Sequence, residues 1–273
     1  MPSFGLIIVG DEILSGKRAD KHMPKVIELL GARGLQLDYA DYVGDDPDRI
    51  TATLARAFAS ARANGDVVFS CGGIGATPDD HTRQCAARAL GVELELHAQA
   101  RLLILERMQD MAREQGIAYE PDRTDNTHRL NMGVFPKGAN IISNPYNKIP
   151  GFTVDAGHGA VHFVPGFPVM AWPMIEGLLD SRYAPLHQKN AHLEKSVIVM
   201  GSMEAALTPL MLDIESRHPG VKVFSLPSVD HPQYGRHIEL GVKGPTSSVQ
   251  AAFPSLLAGL HQFNAKLGPE LVR

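Results

Sequence analysis

Two short loops concentrate the residues able to do chemistry. The first, Gly10-Asp11-Glu12-Ile13-Leu14-Ser15-Gly16, sets two carboxylates and a hydroxyl directly after an apolar run. The second, Gly72-Gly73-Ile74-Gly75-Ala76-Thr77-Pro78-Asp79-Asp80, joins a glycine-rich turn to a helix expected to start near Thr77. Glycines let backbone amides approach an anion, and a helix N-terminus adds partial positive charge. Gly72, Gly73, Gly75 and Thr77 are therefore candidates to cradle phosphate, with Gly10 and Asp11 facing them. Glu12, Asp79 and Asp80 would repel that phosphate unless a divalent cation lay between, and oxygen ligands of this kind suit magnesium or manganese. Such an ion bridges phosphate oxygens and lowers the pKa of a bound water, which is what hydrolysis of a phosphoanhydride requires. The loop has no Walker lysine and is not Gly-x-Gly-x-x-Gly, which argues against a P-loop ATPase and a nicotinamide dehydrogenase.

The same residues also admit a reading without a ligand: Thr77 as N-cap, Pro78 at the first helical position and Asp80 at the third approximate a capping box. Glu12 has no nearby helix start to cap. Lys148 and Arg129 are the obvious cations for a phosphate, although such side chains usually serve as solvated surface. The turns Asn144–Phe152 and Val164–Pro168 end strands and can reach the same ligand. Cys71 ends a buried strand and reads as a small apolar residue. His158 and His162 lie four apart in a strand-like stretch, where that spacing does not align them for a metal.

These loops must be held by a frame, and its pattern is legible. The block Phe4–Val9 suits a strand buried on both faces of a parallel sheet. Met23, Val26, Ile27, Leu29 and Leu30 recur with helical spacing before breaks at Gly31 and Gly34 and an alternating Leu35, Leu37, Tyr39 run. Asp46-Pro47 opens a second helix that closes near Gly65 and leads to the strand Val67-Val68-Phe69. This alternation predicts a doubly wound α/β sheet. Residues 98–115 read as a further helix, 117–165 as short strands among long ordered loops, and His187 to His192 as a linker. From Ser196 the order is strand, helix, strand, strand, helix, the last spanning Ser247 to Lys266. The expected domains are 1–180, a three-layer αβα fold, and 181–273, a smaller α+β fold.

Of the 273 residues 44% are hydrophobic and the net charge is −4, so nothing favours nucleic acid or an anionic membrane as partner. A small molecule fits better. Two cysteines without a Cys-x-x-Cys pair suggest a reducing compartment, and Phe4–Val9 is too short to span a bilayer. A cytoplasmic protein is expected.

Val9–Gly16, Val43-Gly44-Asp45-Asp46, Gly72–Asp80 and Val164-Pro165-Gly166-Phe167-Pro168 together resemble the molybdopterin-binding domain superfamily, and within it the N-terminal region of the competence-damage-inducible branch and the matching domain of eukaryotic FAD synthases. The segment Ser196 to Lys266 resembles the small domain that follows in that branch. The resemblance implies a three-layer αβα domain and cleavage of ADP-ribose or FAD-like pyrophosphates with magnesium, manganese or cobalt. By motif position, Glu12, Asp79 and Asp80 would hold the metal or activate water, with Glu12 and Asp80 the catalytic pair, and Gly72, Gly73, Gly75 and Thr77 would bind phosphates. The alternative is a protein that binds molybdopterin or a nucleotide without chemistry. The branch's amidohydrolase domain has no counterpart, so deamidation of nicotinamide mononucleotide is not expected; a homo-oligomer is. The branch's proline after the third loop glycine is Ala76 here. Its Gly-Thr-Ala-Pro-Gly turn is Asn147-Lys148-Ile149-Pro150-Gly151, bulkier and cationic.

Overall fold

The N-terminal apolar block forms β1 (Phe4–Val9), and every one of its residues is buried. Phe4, Leu6 and Ile8 pack into one core and Ile7 and Val9 into another, because successive strand side chains alternate between faces. That explains an apolar run without polar alternation. The computed structural model describes residues 2–187, 192–263 and 265–273 and divides into two units, Met1–His187 and Gln188–Arg273. Residues 188–191 of the expected linker lie outside the described residues.

In the first unit β1 is followed by α1 (Asp11–Leu14), α2 (His22–Gly31), β2 (Leu37–Val43), α3 (Pro47–Asn64), β3 (Val67–Cys71), α4 (Thr82–Leu90), β4 (Leu94–Leu96), α5 (Ala98–Glu114), α6 (Thr124–Leu130), β5 (Val134–Pro136), β6 (Asn140–Ile142), β7 (Gly151–Ala156), β8 (Gly159–Val164) and α7 (Pro168–Ser181). The six-stranded sheet has the order β2-β1-β3-β8-β7-β6. Its pairs β1–β2, β1–β3 and β3–β8 are parallel, and β7 and β6 are added antiparallel. Helices α3 and α4 pack on one face and α2 and α7 on the other, giving a three-layer αβα fold. Helix α3 begins as its sequence predicts: the Asp46 carboxylate accepts from the amides of Asp48 and Arg49, Pro47 stands at the first turn, and Gly65 closes the far end with φ 79°. The stretch read as loops between 117 and 165 contains α6 as well as the strands.

Below the sheet's parallel half, His162 of β8 is fully buried. One ring nitrogen, Nδ1, is 2.7 Å from Thr153 Oγ1, and Nε2 is 2.6 Å from the Tyr183 hydroxyl. Its ring stacks on Phe69 at 5.4 Å. Both nitrogens are thus satisfied inside the core, and the residue serves packing.

The second unit contains β9 (His192–Met200), α8 (Glu204–Arg217), β10 (Lys222–His231), β11 (Gly235–Pro245), α9 (Thr246–Gln262) and β12 (Lys266–Val272). Its antiparallel sheet runs β10-β11-β9-β12, and both helices pack into its core through Leu207, Leu210, Val249 and Leu256. The last helix ends at Gln262 rather than Lys266, and a final strand follows that the sequence pattern conceals. Pro269 argues against a strand, but β12 is an edge, and its register is irregular between Leu267 and Glu270, where a proline is tolerated. No helix among the described residues is long and apolar enough to cross a membrane.

Candidate functional site

Where strand order reverses in an open parallel sheet, loops leave neighbouring strands in opposite directions and a crevice opens at their carboxyl ends. Here β1 has β2 on one side and β3 on the other, so the loops after Val9 and Cys71 diverge at that point. The backbone continues the ladder briefly on both sides: the Gly10 amide donates to Val43 O at 3.0 Å, and the Gly72 amide to Val164 O at 3.0 Å. Gly72 takes φ 107°, and a Cβ there would lie 2.4 Å from the Val9 carbonyl oxygen. Only glycine lets the second loop turn so close to the first.

Beyond Gly72 the loop does not enter a helix. Thr77 is not the N-cap of α4, which starts five residues after it at Thr82. Asp80 Oδ2 instead accepts the Thr77 amide at 2.8 Å and its hydroxyl at 2.6 Å, closing a tight turn, while the Thr82 amide donates to Gly73 O at 3.0 Å. The carboxylate thus caps a turn rather than the helix, and the loop amides from Gly73 to Ala76 are left without a role in the helix. Among the described residues, the amides of Gly73, Ile74, Gly75 and Ala76 donate to no group of the protein. Their residues line the cleft, and successive free amides in a turn are the type of group from which concave anion sites are built. Behind them lies Arg83, 4% exposed, with Nη2 donating to Gly75 O at 2.6 Å and its Nε unpartnered. Burial pulls its pKa down, against the opposing effect of Asp80.

The cleft in front of the loop has a volume of about 510 Å³. Gly10, Glu12, Gly72, Gly73, Gly75, Thr77, Asp79 and Asp80 line it, so most of the residues named from sequence do converge. Asp11 and Lys148 do not. Asp11 is locked to the neighbouring loop: its amide donates to Asp45 Oδ2 at 2.9 Å and its Oδ1 accepts the Asp45 amide at 3.1 Å. Lys148 sits in a turn at φ 66° and turns its ammonium to α5, 2.5 Å from Glu106 Oε1 and 2.7 Å from Asp110 Oδ2. Arg129 is likewise engaged, with Asn126 and Asp125.

Sequence reasoning did not single out Asp45, Arg18 or Met132 for the lining, and it reached Phe167 only as part of the Val164–Pro168 turn. Asp45 belongs to a motif but carries no signal of its own until its loop is laid beside Asp11. Its carboxyl is raised above the ordinary range by burial, with smaller contributions from the charges of Asp11, Glu12 and Asp79, against the lowering effect of the Asp11 amide. Arg18 is exposed and without an ion pair among the described residues, and its amide donates to Glu12 O at 2.9 Å. Phe167, 58% exposed, stands at the cleft's rim.

A resident metal finds less support. Among the described residues no three His, Cys, Asp or Glu side chains are placed to hold an ion. Asp80 Oδ2 is taken by Thr77, and Glu12 lies on a different loop from Asp79 and Asp80. These carboxylates do not fit a preformed three-ligand centre.

The family model described as "Probable molybdopterin binding domain" matches residues 5–185. The chain belongs to that family. Within it, the molybdopterin-binding domain of this chain is similar to a CinA-like protein of Anaeromyxobacter sp. (strain K), 35% identical over 164 residues, covering 60% of this chain and 37% of the relative. The chain therefore spans little more than a third of that relative's length. A protein of Pyrobaculum calidifontis is 30% identical over 267 residues, covering 94% of this chain and 95% of its own. Among solved structures, the CinA protein of Thermoplasma acidophilum, whose function is given as unknown, is 29% identical with a TM-score of 0.53, covering 65% of this chain and 96% of its own.

Proposed function

We propose that the molybdopterin-binding domain holds a phosphorylated nucleotide or pterin, with a phosphate seated on the amides of Gly73, Ile74, Gly75 and Ala76. Those four donors carry the reading, because they meet no acceptor within the protein and an anion can take the place of the water that otherwise receives them. Arg18 adds an exposed positive charge at the rim, and Arg83 a buried one behind the loop. Titration calorimetry with ADP-ribose and with molybdopterin tests it. Saturable binding of either, weakened by competing pyrophosphate, supports the reading, and heat from neither overturns it.

A second reading, hydrolysis of a nucleotide pyrophosphate, rests on Glu12, whose carboxylate lines the cleft and accepts no hydrogen bond among the described residues. Such a group can take the proton from a water attacking phosphorus as the bridging P–O bond breaks and AMP departs. AMP release from ADP-ribose is measured with chelator and with added magnesium, manganese or cobalt. Release that Glu12→Gln abolishes establishes the hydrolase; no release under any condition leaves a binding domain. In denaturant unfolding Asp80→Ala should lose about 1 kcal/mol of stability with its two bonds to Thr77.

A further inference from the structure

A second cavity of about 360 Å³ adjoins the phosphate cleft. The two share Val9, Glu12, Arg18, Gly166 and Phe167, so the cleft has two lobes with Glu12 and Arg18 at the waist. Their linings differ in chemistry. The first lobe is faced by glycine amides and carboxylates, whereas the second has a wall built from Ile8, Ile13 and Cys71. Cys71 is buried, and that burial pushes its thiol pKa up, so the sulfur acts there as an apolar atom rather than a nucleophile.

Two features mark the second lobe as more than a gap in packing. Phe167 is an exposed aromatic ring at the rim, on the turn between β8 and α7, and that turn is pinned: His22 Nε2 donates to Gly166 O at 2.9 Å. His22 itself is 5% exposed and is held by Asp20, whose Oδ1 accepts the His22 amide at 2.7 Å. Since a carbonyl can only accept, Nε2 carries a proton, and Nδ1 is enclosed without a partner.

We propose that this lobe takes the fused nitrogen heterocycle of the ligand, a purine or a pterin, stacked on Phe167 over the Ile8, Ile13 and Cys71 wall while the phosphate occupies the glycine lobe. The inference rests on the phosphate reading above and adds where, and by what chemistry, the ring is recognised. An apolar wall with one exposed aromatic at its rim and the charged ends of Arg18, Lys21 and Glu12 around it suits a flat polar heterocycle better than a sugar or an aliphatic chain.

The test compares ring-bearing and ring-free ligands by titration calorimetry: ADP-ribose, a phosphorylated 6-hydroxymethylpterin, and ribose 5-phosphate. Phe167→Ala is made at an exposed position whose backbone carbonyl still receives the Met170 and Ala171 amides. Ala19→Trp places bulk at the exposed rim of the second lobe. Phe167→Ala is expected to weaken at least one ring-bearing ligand about tenfold, the usual scale for losing one base–aromatic stack, and to leave ribose 5-phosphate within about twofold. Ala19→Trp should discriminate in the same direction. Which ring-bearing ligand responds identifies purine or pterin. If all three bind wild-type protein and neither variant separates ring from no ring, the ring lobe is overturned and the phosphate reading stands. If none binds wild-type protein, both fall.

Discussion

Gly72→Ala should destabilise the first unit by about 3 kcal/mol and weaken phosphate binding roughly tenfold. The added Cβ would sit 2.4 Å from the Val9 carbonyl oxygen, a backbone atom that cannot rotate aside, and the residue would be held at φ 107°. Left-handed backbone costs an L-residue about 1–2 kcal/mol, and overpacking at a rigid contact adds about 1–3 kcal/mol. Relief comes only by moving the loops apart, which displaces the four cleft-lining residues whose amides are proposed to hold phosphate; losing one charge-assisted bond to it accounts for the tenfold. Gly16→Ala is the matched control, since Gly16 also has positive φ, 72°, but its Cβ would meet nothing within 4 Å. Denaturant unfolding of both variants separates backbone strain from collision. Equal losses of stability would show that the close approach of the two loops is not what requires glycine.

Stability should fall on acidification from pH 6.5, through His162. Burial lowers its pKa to about 3, with a smaller effect of Arg182, whereas in the unfolded chain the ring titrates near its ordinary value of 6.5. The sign follows from proton counting. Between these two values the unfolded chain binds a proton that the folded one refuses, so acid favours unfolding. The stabilisation is complete above pH 6.5 and is lost progressively as pH falls towards 3. One proton over about 1.5 pH units corresponds to about 2 kcal/mol by pH 5. Denaturant melts at pH 7.5 and pH 5 measure it. His162→Gln, which cannot take up that proton, should lose most of the pH dependence while being less stable at pH 7.5, because the contacts to Thr153 and Tyr183 are disturbed. An unchanged slope in that variant would assign the acid sensitivity to other groups.

The legibility of this chain varied with the range of the interactions involved. β1 was readable because burial on both faces demands a continuous apolar run. Helix α3 was readable because its cap, first-turn proline and closing glycine act over a few residues. In the candidate site, Gly10, Glu12, Gly72, Gly73, Gly75, Thr77, Asp79 and Asp80 line one cleft, since a doubly wound sheet brings the loops after adjacent strands together wherever the exact turns fall. The helix start near Thr77 was misplaced because the local pattern of Thr77, Pro78 and Asp80 satisfies a turn as well as a helix cap. What decided between them was Gly73, whose carbonyl takes the Thr82 amide and begins α4 there.

Lys148 shows the opposite limit. Its charge and its place in a turn between cleft-lining Asn147 and Ile149 suggested a phosphate ligand, but Glu106 and Asp110, one helical turn apart on α5, present two carboxylates that draw it away. Nothing near Lys148 in the chain announces them. Arg83 and Asp45 were invisible for the same reason: each matters through a partner supplied by another segment, whereas Phe167 was legible only as part of a turn able to reach the cleft. By itself the amino-acid sequence determined most of the strands and helices, though not α6, β12 or the start of α4, together with the sheet's winding and the family, all set by periodicity and short motifs. Only the tertiary structure decided which side chains line the cleft, because burial and ion pairing depend on contacts between loops that are far apart in the chain.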